Sequence, residues 1–124
     1  EQLEGVMNYL CLIYSDEAAW HTMTKPEADS MMQEYGVFTD SIKKSGHYVG
    51  GNRLQSATSA TTVRVRNGRM STTDGPFAET KEQLGGFILI EARDLNDAIK
   101  VASKIPPGRL GSIEVRPIME LSAP

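Results

Sequence analysis

The sequence predicts a single α+β domain in which two helices pack on one antiparallel sheet. Short apolar runs predict the strands, and two longer segments with apolar residues at helical spacing predict the helices. The segments follow in the order strand, helix, strands, strand, helix, strand, which is typical of helices segregated to one face of a sheet. The chain has 124 residues, a length that fits one domain, and we place that domain at residues 7–121.

The strands predicted in the middle of the sheet are continuous apolar runs. Residues 8–14 are too few for a typical helix and do not alternate, so they fit a central strand covered on both faces. This strand contains Cys11, the one cysteine of the chain, which we expect to be a small buried residue. Residues 87–91 form a similar run, and residues 113–118 are predicted as the last strand.

The first helix is predicted to begin after a loop over residues 15–23. Thr24 can cap the first amides while Glu27 reaches back to it, and Pro26 is tolerated in the first turn. Gly46 is expected to end the helix. The apolar stripe of this helix is expected at Ala28, Met31, Tyr35, Phe38 and Ile42. The second helix is predicted from the cap Asp94, with Leu95, Ala98, Ile99, Ala102 and Ile105 on its buried face.

Between the helices the sequence predicts a strand followed by a β-hairpin. Residues 47–54 are compatible with a strand, and Gly50-Gly51 indicates a bulge or a close approach of another backbone. Residues 61–66 alternate apolar and polar side chains, and Asn67-Gly68 is a strong hairpin signal because both residue types tolerate positive φ. Residues 69–73 are therefore predicted as the returning strand.

This order of elements is the split βαβ pattern of ferredoxin-like folds, with an extra β-hairpin. In that architecture both helices cover one face of the sheet and leave the other face bare in a monomer. The runs over residues 9–14 and 87–90 place apolar side chains on both faces. We therefore expect a homodimer in which a second sheet covers the bare face, because large exposed apolar surfaces are rare in monomers.

Composition and charge argue against several classes of function. The formal net charge of −3 argues against nucleic acid as the main partner, because phosphate binding needs a concentrated basic surface. No apolar run reaches the roughly 20 residues of a membrane span, and one cysteine gives no sign of an oxidising compartment. We expect a cytoplasmic protein whose natural start is Met7, with residues 1–6 a cloning remnant. No motif indicates a cofactor or a metal site.

The polar loop over residues 74–86 is the most distinctive segment of the chain. Asp74 can bond the backbone amides beyond it, Gly75 frees the backbone and Pro76 fixes φ. Phe77 is expected to be buried beneath the loop as an anchor. The charged residues that follow make this loop a sensible place for a binding site, although they also fit a simple turn with solvated charges.

Residues 74–87, Asp-Gly-Pro-Phe-Ala-Glu-Thr-Lys-Glu-Gln-Leu-Gly-Gly-Phe, resemble the signature of the YCII-related family in its DGPF-domain branch. The resemblance covers nearly the whole chain, including residues 9–14, 61–68 and 113–117. It implies a dimeric α+β barrel, in agreement with the order of the strands. Most members similar to this branch have no assigned reaction, and some occur beside or fused to sigma factors of the extracytoplasmic-function type, which implies a regulatory role.

Other branches of the family include a dehalogenating enzyme, and a histidine–aspartate pair has been proposed there as catalytic. The histidine of those branches lies on the first helix, where this sequence has residues 33–35 and no histidine. The resemblance therefore implies no catalytic histidine here. It implies binding roles for the positions that match the motif of the branch: Asp74, Gly75, Pro76, Phe77, Glu79 and Lys81.

Three functions are compatible with these residues. The first is a small-molecule-binding or regulatory module, in which Arg64 is a further candidate for gripping an anionic ligand or, equally, a solvated edge charge. The second is an acid/base enzyme of lyase, isomerase or hydrolase type acting on a small polar metabolite, with Asp74 and His21 as the catalytic pair. The third is a dimerisation scaffold. The missing helix histidine and the missing nucleophile motif favour the first, with a small polar ligand or a regulatory protein as partner.

Overall fold

The computed structural model describes residues 6–120 and confirms the α+β class. Short 3₁₀ turns lie at Ala57–Ser59 and Pro106–Leu110. The expected remnant at residues 1–6 falls almost wholly outside the described residues, as does the expected domain end at residue 121. The helices and strands in chain order are β1 (Met7–Ser15), α1 (Glu17–His21), α2 (Lys25–Lys44), β2 (Tyr48–Arg53), β3 (Thr61–Arg66), β4 (Arg69–Asp74), β5 (Gln83–Ala92), α3 (Leu95–Ala102) and β6 (Gly111–Pro117).

The main sheet has the strand order β2-β5-β1-β6, and every neighbouring pair is antiparallel. This is the split βαβ arrangement, because β5 lies between β1 and β2. The prediction that β1 is a central strand is confirmed. Cys11 pairs with Ile88 on one side and Val115 on the other, and its side chain is 0% exposed. Burial raises the pKa of the Cys11 thiol to about 11.

Helix α2 begins and ends as its sequence predicts. The Thr24 hydroxyl accepts a hydrogen bond from the Glu27 backbone at 3.2 Å, and the Glu27 carboxylate accepts one from the Thr24 backbone at 2.8 Å. Two unpaired amides at the start of the helix are thereby satisfied. Gly46, with φ of +83°, follows the last turn. From α2, the side chains of Met31, Phe38 and Ile42 are buried, and Tyr35 packs half-buried beside this core.

The buried face of α3 agrees with the prediction only in part. Leu95 and Ile99 were expected inside, but each is 48% exposed. Ala98, Ala102 and, just beyond the end of the helix, Ile105 are buried as predicted, and Val101 is buried beside them. Two neighbouring stripes of this helix are apolar, so spacing alone does not decide which one meets the sheet.

Two element boundaries also differ from the prediction. Residues 15–23 were expected to be a loop but contain α1, whose cap Asp16 accepts a hydrogen bond from the Ala18 backbone at 2.9 Å. Strand β5 begins at residue 83 rather than 87, because pairing with β1 continues to Ser15. Tertiary pairing thus lengthens a strand whose first residues lack an apolar pattern.

The glycine pair of β2 is used as the sequence indicates. Pairing with β5 shifts register between Tyr48 and Gly50, which confirms the bulge. A Cβ atom on Gly51 would lie 2.7 Å from the Phe87 carbonyl oxygen, which confirms the close backbone approach. The strand beyond the bulge carries Arg53 to the end of the sheet.

Strands β3 and β4 form the predicted hairpin as a separate two-stranded sheet. Asn67 and Gly68 occupy its turn with φ of 53° and 75°. The apolar side of this ribbon has no core beneath it: Val63, Val65 and Met70 are 58%, 60% and 69% exposed. A two-stranded ribbon with one apolar face is marginal by itself, so this part of the chain is unsupported in a single copy.

Candidate functional site

A cavity of about 190 Å³ lies at one end of the main sheet, below α1. The ends of β1 and β5 form its floor, α1 and α2 form its walls, and the segment after β2 borders it. β1, α1 and α2 follow one another in the chain, and the fold brings the end of β2 and the start of β5 to them. The lining residues are Ile13, Ser15, Glu17, Trp20, His21, Tyr35, Arg53, Leu54, Gln55, Ser56, Gln83, Gly85, Gly86 and Pro107.

Arg53 is the cation of this cavity. Its guanidinium carbon lies 5.4 Å from the centre of the Trp20 ring, a cation–π distance. Its Nη1 donates to the sulfur of Met32 at 2.9 Å, and a thioether is a weak acceptor. Within residues 6–120 no carboxylate lies within 4.0 Å of this guanidinium. Arg53 is therefore positioned by an aromatic ring and retains its capacity to bind an anion.

The Trp20 side chain is held in place by a hydrogen bond to the end of β1. Its indole N–H donates to the hydroxyl of Ser15 at 3.0 Å, and Ser15 is buried at the end of β1. The bond satisfies the polar atom of this half-buried indole. The ring is thereby fixed as a flat apolar wall of the cavity.

Glu17 ties α1 to the segment after β2. Its two carboxylate oxygens accept hydrogen bonds at 2.8 Å, one from the hydroxyl of Ser56 and one from the backbone of Ala57. Charge-assisted bonds of this kind are about twice as strong as neutral ones. Helix α1 and the segment after β2 are therefore joined, and the Glu17 charge is directed into that segment.

Tyr35 and His21 supply the remaining polar groups of the walls. Burial raises the pKa of the Tyr35 phenol, and the positive charge of Arg53 opposes that rise, which places the two groups in one electrostatic environment. Neither the Tyr35 hydroxyl nor the His21 ring makes a hydrogen bond to any residue from 6 to 120. Both side chains thus line the cavity with unused hydrogen-bonding capacity.

Two glycines keep the floor of the cavity open. A Cβ atom on Gly86 would lie 2.9 Å from the Asn52 carbonyl oxygen, so β2 and β5 can approach there only without a side chain. A Cβ atom on Gly85 would meet nothing nearer than the Ser15 hydroxyl at 3.8 Å. Gly85 therefore leaves space that a larger residue would fill.

The structure separates His21 from the other site residues that the sequence indicates. Of these, His21 lines the cavity, whereas the predicted partner Asp74 does not. The catalytic pair is therefore not assembled around this cavity. The other residues that do not line the cavity are Arg64, Gly75, Pro76, Phe77, Glu79 and Lys81.

The loop after β4 projects from the end of the hairpin. Gly75, at φ of +101°, donates its backbone N–H to Ala60 at 2.7 Å, and its carbonyl accepts from the Thr62 hydroxyl at 2.9 Å. The prediction that Phe77 is buried is wrong, since this side chain is 81% exposed. The hairpin stands away from the main sheet, so no core lies beneath the loop. A binding role for the loop stays a prediction.

The sequence signature reaches the cavity through its second half. Gln83, Gly85 and Gly86 belong to the segment 74–87 and lie on the cavity floor. Arg53 and Trp20 were not identified from the sequence, because these two residues lie more than thirty positions apart in the chain. The sequence signal that could have pointed to Arg53 was the bulge at Gly50-Gly51. The strand after this bulge ends at Arg53, which pairs with Gly86 on the cavity floor.

The described residues contain no metal-binding cluster of histidine, cysteine, aspartate and glutamate. Between residues 6 and 120 no helix has the length and apolar character needed to cross a bilayer. The cavity offers one cation, one carboxylate, one histidine, a phenol and several amide or hydroxyl groups around an aromatic wall. Such a site suits a small polar molecule with a flat apolar part.

The fold and this cavity define an α+β protein with a small, partly enclosed polar site at a sheet end. Comparison with known proteins gives the family: the YCII-related domain model matches residues 7–122. An uncharacterised protein of Rhizobium meliloti (strain 1021) is 36% identical over 114 residues, covering 90% of this chain and 92% of that protein. The chain belongs to the YCII-related family.

Proposed function

We propose that the protein is a small-molecule-binding or regulatory module of the DGPF branch, and that the cavity at Arg53 is its ligand site. The observation that carries the proposal is a cavity holding a cation without a carboxylate partner among residues 6–120. An arginine held over a ring and lacking an acid is poised for a ligand. The branch assignment rests on the Asp-Gly-Pro-Phe sequence at residues 74–77.

The second candidate is an acid/base enzyme acting on a small polar metabolite. It is favoured by the presence of His21 and Tyr35 in one cavity, since histidine is the side chain that most often serves as a general acid or base. A binding module ranks first because, among residues 6–120, the His21 ring makes no hydrogen bond to a carboxylate that would orient it or to a hydroxyl that it could activate. Turnover of a ligand that binds the cavity, with loss of turnover but not of binding in His21→Gln, would establish the enzyme.

The proposed site is testable through Trp20, the one tryptophan of the chain. Small polar metabolites are screened by the NMR shift of its single indole N–H resonance. A true cavity ligand should lose its effect in Gly85→Leu, which fills the floor, and be weakened in Gly85→Ala. The control is Gly36→Ala, because Gly36 lies on α2 outside the cavity and a Cβ there meets nothing within 4 Å.

Thermal denaturation shows whether Gly85→Leu is folded. If it is not, the weaker binding expected in Gly85→Ala becomes the test of the cavity. If every ligand found binds Gly85→Leu and Gly85→Ala as tightly as the parent protein, the cavity is not the ligand site.

We also propose that the protein is a homodimer in the cytoplasm. The sheet face opposite the helices carries the cross-strand pairs Leu10–Leu89 and Leu12–Phe87, all four side chains only half-buried. The apolar side of the β3–β4 hairpin is exposed as well. A second copy would cover both surfaces and support the marginal hairpin. The exposed loop at Phe77 is the surface that we propose for a regulatory protein partner.

A further inference from the structure

We infer that the ligand of this cavity is a small carboxylic acid with a flat apolar body, bound by Arg53 and packed against Trp20. This inference rests on the proposed function and narrows it to one chemical class. It is built from the resting contacts of Arg53, the size of the cavity and the nature of its walls.

The partners of Arg53 among residues 6–120 are uncharged, which favours their replacement by an anionic ligand. Its guanidinium donates to a thioether and faces a ring, and neither partner carries a negative charge. A carboxylate matches the planar fork of a guanidinium with two parallel hydrogen bonds. When a ligand carboxylate takes the place of the Met32 sulfur as the partner of Arg53, the guanidinium exchanges a weak hydrogen-bond acceptor for a strong one.

The cavity walls fit the apolar part of such an acid. The Trp20 ring is fixed by its bond to Ser15, and Tyr35 lines the same space. A cavity of roughly 150 Å³ is known to accept benzene. At about 190 Å³ this one has room for a single ring or a short chain with its carboxylate at the rim.

Glu17 is the one carboxylate in the lining, and it is already engaged. Both of its oxygens accept hydrogen bonds from the segment after β2. Its negative charge partly opposes the binding of an anionic ligand. The charge of the ligand that binds most tightly is therefore a sharp test of the inference. If Glu17 set the preference, the cavity would select an amine instead.

The experiment compares three probes of nearly equal shape and different charge: benzoate, benzamide and benzylamine. Each is titrated into the protein while the Trp20 indole N–H resonance is followed by NMR. The expected order of affinity is benzoate first, at least about 10-fold tighter than the neutral amide, with benzylamine weakest. A preference for benzylamine or benzamide overturns the inference.

Arg53 variants identify the group responsible. Arg53→Gln should lower benzoate affinity at least about 10-fold and leave benzamide affinity nearly unchanged, and Arg53→Lys should give an intermediate loss, because an ammonium lacks the planar fork. Lys100→Gln removes the same charge from an exposed position on α3, away from the cavity, and should bind like the parent. Equal benzoate losses in Arg53→Gln and Lys100→Gln would mean that net charge alone acts, and would refute the role of Arg53.

The outcomes separate the inference from the proposed function. If benzamide or another neutral compound binds more tightly than benzoate and loses its effect in Gly85→Leu, the cavity is a ligand site but not one for carboxylates. If no probe and no metabolite moves the Trp20 resonance, both the inference and the proposed function fail.

Discussion

The β3–β4 hairpin gives the sharpest test of how this chain assembles. Gly68 and Gly46 have nearly the same backbone, at φ of +75° and +83°, and a Cβ atom at either position would meet nothing within 4 Å. Substitution by alanine therefore adds the same backbone strain at both sites and no steric clash. The two glycines differ in location, because Gly46 ends the packed helix α2 whereas Gly68 closes the unsupported hairpin.

The strain of alanine in a left-handed conformation is about 1 kcal/mol per residue. In Gly46→Ala this cost falls on the folded core of each chain, and the unfolding midpoint should drop by about 4 °C. In Gly68→Ala the cost falls on a hairpin that we expect to be ordered only between two copies. Two hairpins per dimer give about 2 kcal/mol, or about a 30-fold weaker dimer.

The assay is sedimentation equilibrium of both variants and the parent. It is combined with thermal denaturation at a protein concentration below the dissociation constant of the dimer, where the protein is monomeric. Gly68→Ala should raise the dissociation constant of the dimer and leave the unfolding midpoint of the monomer unchanged. Gly46→Ala should lower the unfolding midpoint and leave the dissociation constant unchanged. The reasoning is refuted if Gly68→Ala lowers monomer stability as much as Gly46→Ala, or if the parent protein is a monomer at micromolar concentration.

Three further outcomes follow from burial and from pKa shifts. Phe77→Ala should change the unfolding free energy of the monomer by less than about 0.5 kcal/mol in urea titration, because the ring is 81% exposed. Cys11 should resist alkylation at pH 8 in the native protein and react fully in denaturant, because burial raises its thiol pKa to about 11. Asp97 accepts hydrogen bonds from the backbone of Arg93 and from His47 Nε2, which lower its pKa, so it stabilises the fold above about pH 4 and loses this effect as pH falls through the lowered value. Asp97→Asn should be less stable by about 1 kcal/mol at neutral pH, with the deficit disappearing in acid denaturation curves.

Local signals in the sequence were enough for much of the fold. The capping residues Thr24 and Glu27 located the start of α2, and Asn67-Gly68 located the hairpin turn, because each signal acts through its own backbone. The buried face of α3 was only partly predictable in this way, since Ala98, Ala102 and Ile105 were assigned to it correctly but Leu95 and Ile99 were not. Leu95 and Ile99 form an apolar stripe beside the buried one, and only the rotation of the helix on the sheet decides between them.

The cavity was harder to predict than the fold, for a physical reason. Trp20, Tyr35, Arg53 and Gly85 come from four separate elements, and their proximity depends on the packing of α1 and α2 on the sheet. The sequence signature drew attention to Asp74, which lies at the end of a different sheet. A motif read as one site is therefore divided between two places in the fold.

That division suggests how the segment 74–87 works as a unit. Its first half forms the exposed loop at the end of the hairpin, and its second half enters β5 and forms the cavity floor at Gly85 and Gly86. One continuous stretch of chain thus joins the proposed partner-binding surface to the proposed ligand site. A ligand that displaces Arg53 from its resting contacts would act beside Gly86, which pairs with Arg53 across β2 and β5. Strand β5 leads from this pair back to the loop at Phe77, so the proposed regulatory role has a continuous segment of chain through which the cavity and that surface would be coupled.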